Sequence, residues 1–200
     1  NLSNILLANP TRIEWNDFCK SDKNHPVYII TNPTYKGARK QTPKQKEDVQ
    51  FVFKEYERIS NLDYSSCWLY LSSKYIQAEN AKASIVTTNS LTQGEQVGLL
   101  WPKVYSHKVE IFFAHTSFKW KTSFQAKTGV TVVIIGLSKL NAIYEKKVYN
   151  NMTSYNTDVI SPYLTTGVNI IVEKRNSPVS NFPPMPKGNM PYDNGNLILS

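Results

Sequence analysis

Four short runs of β-branched and apolar residues restrict this chain to a fold built on a sheet. Each run is nearly continuous in apolar character and is bounded by polar or turn-forming residues. Strands of this kind are typical of sheets that are covered on both faces, and such sheets are mostly parallel. The runs are residues 27–31, 83–88, 109–114 and 130–137.

Segments with helical spacing separate the first three runs. Residues 45–58, 63–77 and 93–105 fit helices, and apolar side chains in the second segment follow three- and four-residue steps. Strands that alternate with helices predict an α/β fold with a doubly wound sheet. Pro102 lies inside the third segment and predicts a kink or an early end, because proline lacks the amide donor.

The last of the four strands is predicted to run antiparallel to its neighbours. A polar and aromatic loop, residues 115–129, leads into it and has no helical pattern. Parallel strands need a longer crossover connection, usually a helix. An antiparallel insertion of this strand is therefore the better prediction.

The composition changes after residue 140, where Pro, Gly, Asn and Ser become frequent. This part predicts an extended connector with one strand at residues 168–173. We therefore divide the chain into a domain at residues 1–140 and a connector at residues 141–200. The chain starts with Asn1 rather than Met, and its first residues resemble the interior of a domain. We expect it to be a piece of a larger polypeptide.

The charge balance favours a polyanionic partner. The formal net charge is +8 and the pI is about 9.3, and nucleic acid is the commonest partner of such surfaces. Many soluble domains are mildly basic without such a partner, so charge alone leaves both readings open. No apolar stretch reaches the length of a membrane span.

Cysteine and histidine usage excludes several classes of site. Cys19 and Cys67 stand alone, which argues against zinc and disulfide frameworks and fits a reducing cytoplasm. His25, His107 and His115 are scattered and form no pattern of a triad or a metal site. We expect these histidines to have surface or packing roles, and we expect no metal.

The sharpest local signal is Asn32-Pro33-Thr34-Tyr35, directly after the first strand. Ligands of open parallel sheets bind beyond the carboxyl ends of the strands. The Asn32 oxygen and a nearby backbone carbonyl can both accept hydrogen bonds from an amino group, Pro33 fixes the backbone, and Tyr35 can stack on a base. The alternative is an ordinary Asn-Pro turn, which is common.

The chain resembles the MmeI-like restriction-modification enzymes over nearly its whole length and in collinear order. Amino-methyltransferases that act on DNA carry Asn-Pro-Pro-Tyr/Phe after a strand, and this chain has Thr34 at the second proline position. The segment 84–97, SIVTTNSLTQGEQV, is the most diagnostic part. Other matching segments are Asn32 to Gly37, Leu62-Asp63-Tyr64, Cys67-Trp68, Leu100-Trp101, Ala114 to Trp120, Val133 to Gly136, Gly188 to Pro191 and Gly195 to Ser200.

This resemblance implies the second half of an adenine-specific DNA methyltransferase domain with the class I, Rossmann-like sheet. Such enzymes join a nuclease, a methyltransferase and a target-recognition domain, and S-adenosylmethionine donates the methyl group. The glycine-rich turn that holds the donor has no counterpart here, since no Gly-x-Gly occurs in the sequence. We therefore expect this piece alone to bind the donor poorly and to be inactive, and the connector to lead to a target-recognition domain.

The resemblance also implies roles for individual residues. Asn32 and Pro33 would hold the adenine amino group, Thr34 would lie at the substrate, and Tyr35 would stack on the flipped base. Flipping comes first because the duplex shields the amino group. A second aromatic residue would come from the loop 118–120, where Phe118 is the first choice and Trp120 the second, with ordinary packing as the alternative.

Polar and basic residues near the motif complete the predicted site. Thr88, Asn89 and Ser90 end a strand at the same sheet edge and would shape the pocket, unless Ser90 or Thr92 is a helix N-cap. A basic loop beside the motif would contact DNA phosphates, and the alternative is a merely solvated loop. Its residues are Lys36, Arg39, Lys40, Lys44 and Lys46.

Two other readings of the chain stay open. The first is a non-catalytic nucleic-acid-binding module that keeps the methyltransferase fold, which the altered motif and the missing donor turn both permit. The second is an unrelated structural α/β fragment. Burial of Asn32 and Tyr35 away from any cleft would favour that last reading.

Overall fold

The computed structural model describes residues 5–22, 24–120, 130–142, 145–151, 153–175 and 180–181. Within these residues six strands form one sheet in the spatial order β1-β2-β4-β3-β5-β6. The strands are β1 (Val27–Thr31), β2 (Ala81–Thr88), β3 (Val109–Trp120), β4 (Val130–Lys139), β5 (Lys146–Asn150) and β6 (Thr153–Thr157).

The pairing of the strands confirms the predicted sheet. Strand β1 is parallel to β2, and β3 is parallel to β5. Strand β4 is antiparallel to both of its neighbours, β2 and β3, and β6 is antiparallel to β5. Four of the six strands therefore point the same way, and the strand predicted to be inserted antiparallel is β4.

In the described residues the helices that pack on the sheet lie on one face, whereas cover on both faces was predicted. The helices are α1 (Trp15–Phe18), α2 (Pro43–Val52), α3 (Ser66–Ala78) and α4 (Gly94–Tyr105), with single 3-10 turns at Ala38–Lys40 and Asn89–Thr92. Both α3 and α4 pack on the sheet. None of the helices in the described ranges is long and apolar enough to cross a membrane.

The core lies between the sheet and these two helices. Every second residue of β2 is buried, and each fully buried Leu or Ile contributes about 2 kcal/mol. On β1 the opposite face is open, with Tyr28 and Ile30 exposed by 64% and 83%. The largest fully buried side chains include Leu69, Ile76, Ile85, Leu100, Trp101, Ile111 and Ile135.

Helix α2 is shorter than the segment predicted for it, residues 45–58. It starts at Pro43 because Thr42 and Gln45 form a reciprocal capping box, in which each side chain accepts from the other's backbone amide. It ends at Val52, and Arg58 then takes a left-handed conformation with φ of 55°. Helix α4 matches the predicted segment, but the early end at Pro102 is wrong, because the helix continues to Tyr105.

Strand β3 is longer than predicted and includes residues 115–120, which were expected to form part of a loop. It pairs with β4 along its whole length, with irregularities between Ile111 and Phe113 and between His115 and Phe118. Residues 121–129 lie outside the described residues. The aromatic segment is therefore part of the sheet and follows its register.

The region after residue 140 differs from the predicted connector in two ways. Strands β5 and β6 form a hairpin that extends the sheet, and this hairpin was not predicted. The strand predicted at residues 168–173 is wrong, because this segment has no strand pairing. Its backbone instead lies against α4, where a Cβ on Gly98 would come within 3.2 Å of the carbonyl oxygen of Val172.

Candidate nucleic-acid modification site

The Asn32 motif starts where β1 ends, at the carboxyl edge of the sheet. Thr31 is the last residue of β1 and pairs with Ile85. Pro33 is buried and anchors the turn, whereas Asn32 and Thr34 are exposed and Tyr35 is partly buried. The carboxamide and the ring are thus available at the surface, which argues against an inert, buried turn.

Asn32 and Tyr35 contact each other directly. The Tyr35 hydroxyl donates a hydrogen bond to the Asn32 carbonyl oxygen Oδ1. Burial raises the pKa of the Tyr35 phenol. A carbonyl oxygen has two lone pairs, so one acceptor position of Asn32 remains for a ligand in this arrangement.

The backbone after Tyr35 is held by the segment that precedes α3. The Tyr64 amide donates to the carbonyl oxygen of Lys36 at 2.9 Å. The Gln41 side chain donates to the same oxygen at 3.2 Å and to the Leu62 carbonyl at 2.8 Å. The motif is therefore attached to the protein body on both sides.

The end of β2 does not provide the predicted helix N-cap. Helix α4 starts at Gly94, and its N-cap, Gln93, makes no side-chain capping bond. Ser90 donates instead to the Asp63 carboxylate, and Thr92 donates to the carbonyl oxygen of Asn89 at 2.9 Å. The N-cap alternative for Ser90 and Thr92 is therefore wrong.

Phe118 and Trp120 lie on β3 at the same edge of the sheet as the Asn32 motif. Phe118 pairs with Val132, which pairs with Thr88 at the end of β2. The ring centroids of Phe118 and Trp120 are 6.2 Å apart, and His115 lies 4.7 Å from Phe118. Because β2 and β4 lie between β1 and β3, the axes of β1 and β3 are about 14 Å apart.

The predicted basic loop is exposed. Lys36, Arg39 and Lys40 form no ion pair with any residue that the structure describes. Beside them is a cavity of about 350 Å³ whose lining includes Arg39, Gln41 and Lys46. The loop therefore has unneutralised cations next to the Asn32 motif.

The histidines form separate local contacts. His25 is paired with Asp22, His107 with Ser73, and His115 with the carbonyl oxygen of Thr116. Burial lowers the pKa of His107. In the described ranges no group of three potential metal-ligating side chains occurs.

Sequence reasoning overlooked the contacts that Asp63 makes near the candidate site. Asp63 lies just before α3 and is buried, and its carboxylate contacts the end of β2. The segment Leu62-Asp63-Tyr64 carried part of the family resemblance, but nothing in its local pattern indicates a contact with residues more than twenty positions away.

The sheet order and the exposed Asn-Pro turn together define half of a class I methyltransferase fold. One antiparallel strand is inserted beside the last parallel strands, and the polar motif lies at the carboxyl end of β1. Residues 1–150 match the DNA-methyltransferase domain of MmeI, and residues 166–200 match the MmeI target recognition domain. The chain belongs to the MmeI DNA-methyltransferase domain family, which confirms the resemblance.

Two relatives show how the chain compares with longer proteins. The chain is 39% identical over 196 residues to DNA methyltransferase A of Bacillus subtilis (strain 168). This match covers 98% of the chain and 22% of that protein. The type IIL restriction-modification enzyme MmeI, solved in complex with DNA, superimposes with a TM-score of 0.82 at 38% identity. That match covers 90% of this chain and 25% of the MmeI chain. The chain thus spans about a quarter of these relatives.

Proposed function

We propose that the complete protein transfers a methyl group from S-adenosylmethionine to the exocyclic amino group of an adenine flipped out of DNA. The supporting observation is the exposed Asn32 carboxamide at the carboxyl end of β1, with the Tyr35 ring beside it. The family resemblance is the reason for choosing adenine among the amino-bearing bases.

Asn32 and the turn around it act on the amino group. The Asn32 oxygen and the Pro33 carbonyl accept its two N–H bonds, which leaves the nitrogen lone pair directed at the methyl group. The base nitrogen then attacks the methyl carbon directly, so that positioning replaces a protein nucleophile. Thr34 lines the same turn.

Aromatic side chains hold the extruded base in this proposal. Tyr35 stacks on one face, an interaction worth about 1–3 kcal/mol. Phe118, or Trp120 in second place, approaches from β3. The strand separation of about 14 Å leaves room for a base between side chains that extend from β1 and β3.

In this proposal the residues that bind the methyl donor belong to another part of the complete protein. Bound S-adenosylmethionine would supply an electrophilic methyl group. The turn after β1 is Asn-Pro rather than glycine-rich, and no Gly-x-Gly occurs in the sequence, so these residues do not form a donor site by themselves. We expect the isolated chain to be inactive.

The DNA duplex contacts the basic loop in this proposal. Lys36, Arg39 and Lys40 bind phosphates, which positions the duplex without reading its sequence. MmeI was solved in complex with DNA, and the match of residues 166–200 to its target recognition domain supports the same partner here. We propose a restriction-modification protein of the cytoplasm.

The division of the chain at residue 140 also remains a proposal. It assigns residues 1–140 to the catalytic half and residues 141–200 to a connector that leads to the target-recognition domain. The sheet itself continues to Thr157 through β5 and β6.

Asn32→Ala in the complete protein tests the proposed function. We expect adenine methylation of duplex DNA to fall by about 100-fold or more, with DNA binding retained, because the variant loses only the acceptor for the amino group. Asn16→Ala on α1 is the matched control and should keep full activity. Undiminished methylation by Asn32→Ala refutes the proposed role. DNA binding without methylation by the wild type supports the non-catalytic module instead.

A further inference from the structure

The segment at residues 61–66 contacts three elements: the end of β2, the loop that carries Asn32 and Tyr35, and α4. Asp63 lies at the centre of this segment. Asp63 is buried, with 9% of its surface exposed. It is distant in sequence from both the Asn32 motif and the end of β2. Its contacts therefore join elements that are more than twenty residues apart in the sequence.

The Asp63 carboxylate binds the end of β2. The Ser90 hydroxyl donates to Oδ2 of Asp63, and the Thr88 hydroxyl lies 3.4 Å from the same oxygen. The Thr88 and Ser90 hydroxyl oxygens are 2.6 Å apart. A charged acceptor strengthens such bonds, so this carboxylate fixes the turn that follows β2.

The same segment holds the loop that carries Asn32 and Tyr35. The bond from the Tyr64 amide to Lys36 and the bond from Gln41 to Leu62 lie on either side of Asp63. A methyl group built on Gly37 would lie 3.4 Å from Oδ1 of Asp63. The carboxylate thus faces the loop at Gly37, with room for about one methyl group between them.

Helix α4 provides a third attachment. The Asp63 amide donates to Oε1 of Gln96 at 3.2 Å, and the Gln96 amide group donates to the Asn61 carbonyl. The backbone of the segment is therefore fixed to α4, while its side chain at Asp63 is free to bind β2. This arrangement gives the carboxylate a rigid support.

We propose that Asp63 is a positioning residue that keeps the Asn32 loop and the end of β2 in one fixed arrangement. This inference rests on the proposed function, because the two elements border the proposed base pocket. Thr31 pairs with Ile85, so the Asn32 loop extends beside the last residues of β2. Asp63 acts through these neighbours and does not contact the base. Small misplacements of reacting groups are costly to catalysis.

Variants at Asp63 and Ser90 in the complete protein test this role. Asp63→Ala should lower kcat for methylation by about 10- to 100-fold with little change in KM for DNA. Asp63→Asn should recover part of this loss, since its carbonyl oxygen still accepts from Ser90. Ser90→Ala should give a smaller loss than Asp63→Ala. Ser72→Ala is the matched control, because the buried Ser72 hydroxyl has no hydrogen-bond partner in the described ranges.

Hydrogen exchange separates positioning from general loss of the fold. Asp63→Ala should speed amide exchange in residues 31–37 and 88–92 and leave the centre of β4 unchanged. An unchanged kcat in an active enzyme overturns the inference, and so does a uniform rise in exchange across the sheet. If the wild type does not methylate DNA, the proposed function fails, and the exchange pattern alone then decides the role of Asp63.

Discussion

At the scale of single residues, the Asn32 oxygen already accepts one hydrogen bond, from the Tyr35 hydroxyl, in the absence of a base. The hydroxyl of Tyr35 uses one acceptor position on the oxygen that the proposal assigns to the amino group. Because burial raises the pKa of this phenol, the ring stays neutral at physiological pH. It can therefore stack on a base without adding negative charge beside DNA phosphates.

Two substitutions at Tyr35 separate the ring from the hydroxyl. Tyr35→Ala removes stacking worth about 1–3 kcal/mol and should lower methylation by roughly 10- to 100-fold. Tyr35→Phe keeps the ring and frees the Asn32 oxygen, so it should keep most of the activity. Steady-state methylation of the complete protein measures both variants. Equal loss in both would show that the hydroxyl, rather than the ring, carries the role.

The site was predictable only as far as local position allowed. Asn32 and Tyr35 stand out in the sequence because they directly follow an apolar strand, and parallel strands present such residues at one edge. Ser90 looked like an N-cap because Ser is favoured there, but its hydroxyl has a stronger acceptor in Asp63. That contact spans 27 residues, and no local pattern encodes it.

At the scale of elements, the N-terminal segment is attached to α2 by a buried carboxylate. Asp48 accepts hydrogen bonds from Arg12 at 2.6 Å, Tyr64 at 2.8 Å and Asn9 at 3.1 Å. Burial alone would raise the pKa of Asp48, but the three hydrogen bonds and the Arg12 charge outweigh burial and lower it. The folded protein therefore holds Asp48 in its charged form.

Acid should weaken this attachment in a defined direction. Because the pKa is lower in the folded protein, the stabilisation is present above the unfolded pKa of about 3.9 and is lost as pH falls through the folded value. The thermal unfolding midpoint should therefore drop steeply below about pH 4 in the wild type. Asp48→Asn should be less stable at neutral pH and should show a flatter acid limb. Parallel pH curves for the two proteins would contradict this assignment.

The elements were predictable where burial shaped the sequence. The four apolar strands and α4 follow from their patterns, since buried strands and amphipathic helices leave clear periodicities. The β5–β6 hairpin has mostly exposed, polar residues, so its sequence resembles a connector. Residues 168–173, by contrast, were predicted to form a strand and have no strand pairing. They are rich in Val and Ile like a strand, but Val172 lies against α4 and Ile171 packs on the core, because tertiary packing overrides strand preference.

At the scale of the whole molecule, part of the positive charge behind the net charge of +8 lies in the basic loop. Each phosphate contact that releases a counterion changes the salt dependence of binding by about 0.9 in the logarithmic slope. Replacing Lys36, Arg39 and Lys40 with alanine should therefore reduce that slope by up to about 3. DNA titrations of the complete protein at several salt concentrations measure it. Lys20→Ala, before β1, is the control, and an unchanged slope in the triple variant would mean a solvated loop.

The close approach of Val172 to Gly98 has a practical consequence for exchanging recognition modules between related proteins. The backbone of residues 172–173 lies against Gly98 of α4, and the Tyr163 hydroxyl accepts a hydrogen bond from the Val172 amide at 3.1 Å. A chimaera joined before Val172 would place a foreign backbone against Gly98 of α4, whose surface fits the native backbone closely. A chimaera joined after Arg175 keeps the native contact between residues 172–173 and α4.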